Sequence, residues 1–259
     1  MTKIALSFDD GRKDNYRVAK EILEPLNIPA SFNITTGYIQ RTIEEKDKPS
    51  AHEPMTMEEV KDLKEKDLFE IAGHGYTHDN EQKNLIKGVN ELRNILNFNE
   101  KKIGIASPHS EFDLSGIEKF KTECKKNNIN YLRISHRFKK NFLIRKIIRK
   151  INRKLNIPFL YYYVYKDTDV KKTDEFLLYS VPIIKDNKIN EVKYLIEKAI
   201  ESDKSYILML HSILKPGEIY YDDLFTWDYN DFKELCEFLK ELENNNKIKI
   251  TKVIDINRG

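Results

Sequence analysis

Short apolar runs alternate with amphipathic helical stretches along nearly the whole chain. That alternation restricts the fold to strand–helix–strand units wound around a parallel sheet. Lys3 to Ser7 reads as a first strand, Tyr16 to Leu26 as a helix ended by Pro25 and Pro29, and Ala30 to Ile34 as a second strand. Thr56 and Glu59 form a capping box for a helix through Leu68, followed by a strand at Phe69 to Ala72. Leu85, Val89, Leu92 and Leu96 mark the next helix and Lys102 to Ala106 the next strand; Ser115 and Glu118 cap a further helix before a strand at Asn130 to Ile134. Phe176 to Ile184, Asn190 to Ile200, Tyr206 to Leu210, Tyr229 to Leu242 and Ile248 to Ile256 continue the alternation. A chain of 259 residues that is 40% hydrophobic can bury one large core, so residues 1–259 are expected to form a single domain. No apolar run approaches the roughly 18 residues of a membrane span, and the N-terminus leads into the first strand without a signal-peptide pattern, so a cytoplasmic protein is expected. Cys124 and Cys236 make no disulfide framework and sit on apolar helix stripes.

Polar residues cluster just after several apolar runs. Asp9, Asp10 and Gly11 follow Ile4-Ala5-Leu6. Adjacent carboxylates repel, and a strand end that keeps both is explained if one binds a metal and the other handles a proton, although an acidic turn explains the tripeptide alone. His74 and His78 follow Leu68 to Ala72, and residues four apart can face one ion if the backbone after Gly73 coils into a helical turn; the alternative is two surface histidines. His211 ends the run Ile207 to Leu210, where a lone histidine is often structural. The chain has only six histidines, and a third of them lie between residues 74 and 78.

Taken in order, Ser7-Phe8-Asp9-Asp10-Gly11, His74-Gly75-Tyr76-Thr77-His78 and Leu208-Met209-Leu210-His211-Ser212 resemble the polysaccharide deacetylase family, the NodB-homology proteins of carbohydrate esterase family four. The resemblance implies a distorted (β/α) barrel of about seven parallel strands, a divalent metal and hydrolysis of an N-acyl group from an amino sugar. It makes Asp10, His74 and His78 the metal ligands, with Zn2+ first and Fe2+, Co2+ or Ni2+ open. Asp9 becomes the general base and His211 the proton donor to the leaving amine. The third family motif departs: Ala106-Ser107-Pro108-His109-Ser110 stands where the family often has an arginine that holds the catalytic aspartate. Arg133, at the next strand end, is the candidate replacement, and His109 can still offer a backbone N–H to the oxyanion. The fourth motif has only Asp167 and Asp169 as weak candidates. Trp227 either lines the sugar site or packs the last helix onto the barrel.

One segment interrupts the alternation. Residues 137–157 carry nine basic residues and no acidic one, so a net charge of +3 conceals an excess of acid in the rest of the chain. From Phe142 to Leu155, Leu143, Ile144, Ile147, Ile148, Ile151 and Leu155 gather on one side of a helix, with Arg145, Lys146, Arg149, Lys150, Arg153 and Lys154 filling the other. Such a helical insertion either packs its apolar face on the barrel or brings a basic face to an anionic membrane surface or a polyprenyl-phosphate carrier. Nucleic acid is not expected, because no recognised nucleic-acid module is present. The expected function is metal-dependent N-deacetylation of a carrier-linked or otherwise small precursor of a cell-envelope glycan, by a cytoplasmic enzyme peripheral to the inner membrane face. A deformylase or other amidase acting on a lipid-linked aminosugar is one alternative, and a glycan- or lipid-binding pseudoenzyme another.

Overall fold

The computed structural model describes residues 1–40, 53–98, 102–110, 112–135, 142–172 and 174–257. Seven strands pair side by side, all parallel: β1 (Thr2–Phe8), β2 (Ala30–Ile34), β3 (Phe69–Gly73), β4 (Ile103–Ala106), β5 (Ile129–Ser135), β6 (Leu177–Pro182) and β7 (Tyr206–Leu210). β7 pairs back onto β1 with Phe8 opposite Leu210, which closes the barrel. A ribbon of β8 (Ser212–Leu214) and β9 (Thr226–Asp228) follows, and β10 (Ile248–Thr251) pairs with the first half of β1, whose second half pairs with β2. The distorted seven-stranded barrel expected from the sequence is therefore the fold.

The helices are α1 (Lys13–Val18), α2 (Glu24–Leu26), α3 (Thr36–Ile39), α4 (Met57–Glu65), α5 (Gln82–Leu96), α6 (Ile117–Lys126), α7 (Phe142–Leu155), α8 (Pro158–Tyr165), α9 (Ile189–Glu201) and α10 (Tyr229–Asn244). The capping box forms at α4: the Glu59 N–H donates to Thr56 Oγ1 at 3.2 Å and the Thr56 N–H to Glu59 Oε2 at 2.7 Å, an arrangement worth about 1 kcal/mol. The first helical run ends at Leu26 as expected, but two of the signals assigned to helix ends are corrected. Pro25 lies inside the helical run, which stops at Asn27 in a left-handed conformation (φ 51°). The cap before α6 is Asp113, which accepts from the Ser115 N–H and hydroxyl, so Ser115 is a donor there. α8 had no sequence signature, because its run of tyrosines has no 3.6-residue alternation; Pro158 in its first turn starts it.

Side chains of successive strand residues point to opposite faces. Ile4, Leu6 and Phe8 join the large apolar layer beneath the helices, whereas Ala5, Tyr131, Leu178 and Ile207 form a second cluster, with Val253 and Ile256, inside the barrel. Above that plug the interior is polar. Glu70 accepts from Ser31 Oγ, Tyr131 Oη and the Ile254 N–H, and burial raises its pKa against those bonds. A Cβ on Gly104 would lie 1.9 Å from the Tyr131 ring, so only glycine there lets the phenol cross the interior to Glu70.

α7 spans the expected residues but faces the opposite way. Leu143, Ile144, Ile147, Ile151 and Leu155 are exposed, while Arg145 and Asn152 are buried. The polar side packs because its partners are polar: Arg145 pairs with Asp167 and donates to the Val164 carbonyl, and Asn152 donates to Glu191. Of the two arrangements left open by the sequence, an apolar face packed on the barrel is thus not found for Leu143, Ile144, Ile147, Ile151 and Leu155, and only Ile148 packs against the core.

Candidate active site

Asp9, Asp10, His74, His78 and His211 meet at the C-terminal end of the barrel strands, the end where barrels of this kind carry their chemistry. Asp10 follows β1 with φ 74°, and Gly11 continues the left-handed turn at φ 69°. The turn aims Asp10 Oδ1 at His74 Nε2, 3.2 Å away, and at His78 Nε2, 3.1 Å away. The three ligand atoms lie within 4.8 Å of one another, and all three residues are buried. Among the described residues no hydrogen bond reaches Asp10 Oδ1, whereas Oδ2 is held by the Arg12 guanidinium at 2.8 Å from Nε. A buried carboxylate oxygen facing two imidazole nitrogens is the donor set of a divalent transition-metal ion, and these residues fit one. Burial pushes the Asp10 carboxyl up, but Arg12 and the two imidazoles outweigh it and hold it well below the usual range.

The histidines reach this geometry without a helical turn. Residues 74 and 75 belong to no regular element and residues 76–78 form a bend, with Gly75 at φ 76° and His78 at φ 57°. Their convergence rests on left-handed backbone, which a spacing of four could not announce. His74 Nδ1 lies 2.9 Å from the Ala106 carbonyl, which leaves Nε2 for the site. Asn84 on α5 accepts from the Tyr76 N–H at 2.6 Å and the Thr77 N–H at 3.1 Å. Gly88 on the same helix lets α5 touch the loop: a Cβ there would lie 2.5 Å from the Gly75 carbonyl carbon. Gly88→Ala is therefore expected to push the loop outward, weakening metal binding by about tenfold or more and costing about 1–3 kcal/mol of stability. Competition titration with a chromogenic chelator and thermal unfolding would measure both.

Asp9 sits between β1 and β7, its N–H donating to the Leu210 carbonyl at 2.9 Å. Its Oδ1 accepts from Arg133 Nη2 at 2.5 Å and from Asn33 Nδ2 at 2.8 Å. Arg133, 1% exposed, is fixed in turn by donating to Ser180 Oγ at 2.9 Å. Burial raises the Asp9 carboxyl, and Arg133, followed by His74 and His211, brings it below its ordinary value. Ala106 and Arg133 are register partners on β4 and β5, so the guanidinium enters one strand over from the position where the family pattern has one.

His211 Nε2 lies 3.9 Å from Asp9 Oδ2. Burial lowers its pKa to about 4, against the attraction of Asp10 and Asp9. Nδ1 has no partner among the described residues, so neither fourth-motif candidate serves it. Asp167 pairs with Arg145, and Asp169 caps the Ser205 and Lys171 N–H groups before β7, at the other end of the strand from His211. The backbone around His211 is clamped from α1: Asn15 Nδ2 donates to the His211 carbonyl at 2.7 Å, and Asp14 accepts from the Ile213 N–H at 2.7 Å.

The two expected substrate-binding residues fare differently. His109 is exposed in a left-handed turn (φ 52°), its ring 4.5 Å from that of His78, so it borders the site. Trp227 does not line it: the indole is 2% exposed and donates to the Asn187 carbonyl at 2.9 Å, a core position. The aromatic at the mouth is Phe225, half-exposed with its ring 4.8 Å from His211. Arg12, Asn33, Asn84, Gly88 and Phe225 were not singled out from sequence. Asn33, a polar residue inside an apolar strand, is the one that carried a readable signal.

Residues 2–102 match the family model described as polysaccharide deacetylase. Among solved structures, the T48 deacetylase with substrate is 10% identical, with 99% of this chain and 90% of that chain covered at a TM-score of 0.49. The family 4 acetyl xylan esterase from Clostridium thermocellum, in complex with a cobalt ion, is 11% identical, with coverage of 98% and 90% and a TM-score of 0.48. IcaB from Ammonifex degensii is 18% identical, with 49% of this chain and 57% of that chain covered at a TM-score of 0.40, so this chain spans less than two thirds of its length. No curated protein matches the chain.

Proposed function

We propose that this chain, whose residues 2–102 match the polysaccharide deacetylase family model, is a metal-dependent hydrolase of that family removing the N-acetyl group of an amino sugar in a precursor of a cell-envelope glycan. The reading is carried by one observation: the orphaned Asp10 oxygen converges with two imidazole nitrogens beside a second, separately anchored carboxylate. Asp10, His74 and His78 would hold a divalent ion, Zn2+ being the first choice for this donor set. Such an ion supplies Lewis-acid polarisation of the amide carbonyl and makes a water acidic.

The residues of this chain divide the proton work. Asp9 is kept ionised by Arg133 and oriented by Asn33, so its Oδ2 is the base that takes a proton from water. An amine leaves only when protonated, and His211 faces that step from the same cleft. Burial keeps His211 neutral at rest, so it donates only after gaining a proton, and the nearest one is that just removed by Asp9. His109, at the rim, offers its backbone N–H to the developing oxyanion.

Incubating the metal-loaded protein with N-acetyl and N-formyl amino sugars, free and linked to a polyprenyl phosphate, and measuring released acetate and formate tests this reading. Acetate from an amino sugar supports it. Formate alone selects the deformylase reading, and neither product with a stoichiometric ion bound would sink hydrolysis of these substrates.

A further inference from the structure

α7 is built as a surface helix with its oily side out. Leu143 is 71% exposed, Ile147 58%, Ile151 44% and Leu155 58%, against 7% for Arg145 and 3% for Asn152 on the opposite side. Around the helix at 100° per residue, Leu143, Ile147, Ile151, Ile144 and Leu155 span about 120°; the exposed Lys146 and Lys150 lie just outside the Leu143 edge of that stripe, and the exposed Lys154 falls just inside it. The arginines are the residues turned inward: Arg145 pairs with Asp167, Arg149 bonds to Tyr165 and Arg153 approaches Asp186 at 3.9 Å. The polar face thus carries these hydrogen bonds and ion pairs of the helix, Ile148 alone of its apolar residues is packed against the core among the described residues, and the remaining apolar side chains are left exposed. The stripe continues past the helix into Ile157 and Phe159, both exposed. A lone exposed leucine is ordinary, but a contiguous row of this extent marks an interaction surface.

The charge on this helix decides the partner. Fourteen residues contain no acid, and an apolar stripe edged by lysine matches the boundary between acyl chains and anionic headgroups. No helix among the described residues is long and apolar enough to cross a membrane, so the contact is one of lying on the surface. We propose that α7 and the turn after it seat the protein on an anionic lipid bilayer, the isoleucine stripe at the acyl boundary and the lysines among the headgroups.

This seating puts the bilayer beside the catalytic mouth. Asn156 Nδ2 donates to the Asp186 carbonyl at 2.7 Å, and the neighbouring Lys185 N–H donates to the Leu224 carbonyl at 2.9 Å. The C-terminal end of the stripe and the exposed Leu224 and Phe225 therefore flank one turn, and Phe225 touches His211. Granting the hydrolase reading above, the favoured substrate is an amphiphile anchored in that bilayer; the seating itself does not depend on that reading.

Co-sedimentation with phosphatidylglycerol/phosphatidylcholine vesicles, and with phosphatidylcholine vesicles alone, tests the seating. Ile147→Gln/Ile151→Gln should lower partition onto the anionic vesicles at least tenfold. Lys146→Gln/Lys150→Gln/Lys154→Gln should lower it several-fold and remove its dependence on salt. All these side chains are exposed and outside the site, so unchanged thermal unfolding and unchanged metal binding show that the variants are folded. Wild-type protein that ignores anionic vesicles overturns the proposal, as does an isoleucine variant that binds like wild type. Light scattering covers the competing occupant: a wild-type dimer that becomes a monomer in the isoleucine variant, with no vesicle binding by either, makes the stripe an interface between two copies and also overturns it.

Discussion

Alanine at His74 or His78 is expected to remove stoichiometric metal and lower turnover by at least a thousandfold, because two remaining ligands do not hold a transition-metal ion against water. The histidine variants should differ from Asp10→Ala in a second respect. Asp10 also neutralises Arg12, and both side chains are about 6% exposed. Removing the carboxylate strands a buried guanidinium, a change that typically costs about 3–5 kcal/mol. Asp10→Ala should therefore unfold at lower temperature even in the presence of chelator, whereas the histidine variants should match chelated wild type to within about 1–2 kcal/mol. Wild type should gain stability on adding Zn2+, by mass action on the folded state, and the three variants should not. Metal analysis of the purified proteins and paired unfolding curves with and without chelator make the comparison. Full occupancy in either histidine variant would remove the ligand assignment.

The barrel was legible because its strands are short apolar runs with turn residues between them, and β2 came out to the residue. The carboxylates and histidines were legible because each stands where such a run stops. What was not legible depends on what lies across from a residue. Trp227 reads the same in sequence whether it faces sugar or core, and only the Asn187 carbonyl opposite its indole decides. α7 shows the limit most clearly: hydrophobic periodicity located the helix correctly, and the usual inference from periodicity to buried face failed. Asp167, Glu191 and Tyr165 come from later segments, and they make the arginine side the one that packs. The loop of residues 74–78 fails for a related reason, since its left-handed residues replace the helical turn that spacing suggests. Arg133 was legible only as a charge in an apolar strand, but a charge there has few places to go except the barrel interior, and Asp9 is the carboxylate it meets.

Arg133→Ala should keep its metal and lose most of its activity, by about a hundredfold or more. Arg133 touches Asp9 and Ser180 and none of the three ligand atoms, so the ion has no reason to leave. Asp9 is different: burial pushes its carboxyl up, and Arg133 is the largest influence pulling it down. Without the guanidinium, burial prevails and the carboxyl is protonated over a wider range, so the acidic limb of the pH–rate profile should move to higher pH. The same change reverses a stability term. In wild type the Asp9 pKa lies below the unfolded value near 3.8, so its contribution is present above that pH and is lost as pH falls through the folded pKa. In the variant the folded pKa lies above 3.8, so the term becomes a destabilisation that grows as pH rises through the new pKa. Unfolding midpoints at acidic and neutral pH should thus converge or cross relative to wild type. Arg133→Met separates charge from volume, because it fills most of the space and should show the same shifted profile; a variant that loses activity without a shifted limb would make Arg133 a packing residue only. Asp9→Asn completes the comparison: it keeps both Arg133 and the metal ligands but offers no base, so it should be inactive at every pH, whereas Arg133→Ala should recover part of its turnover as pH rises.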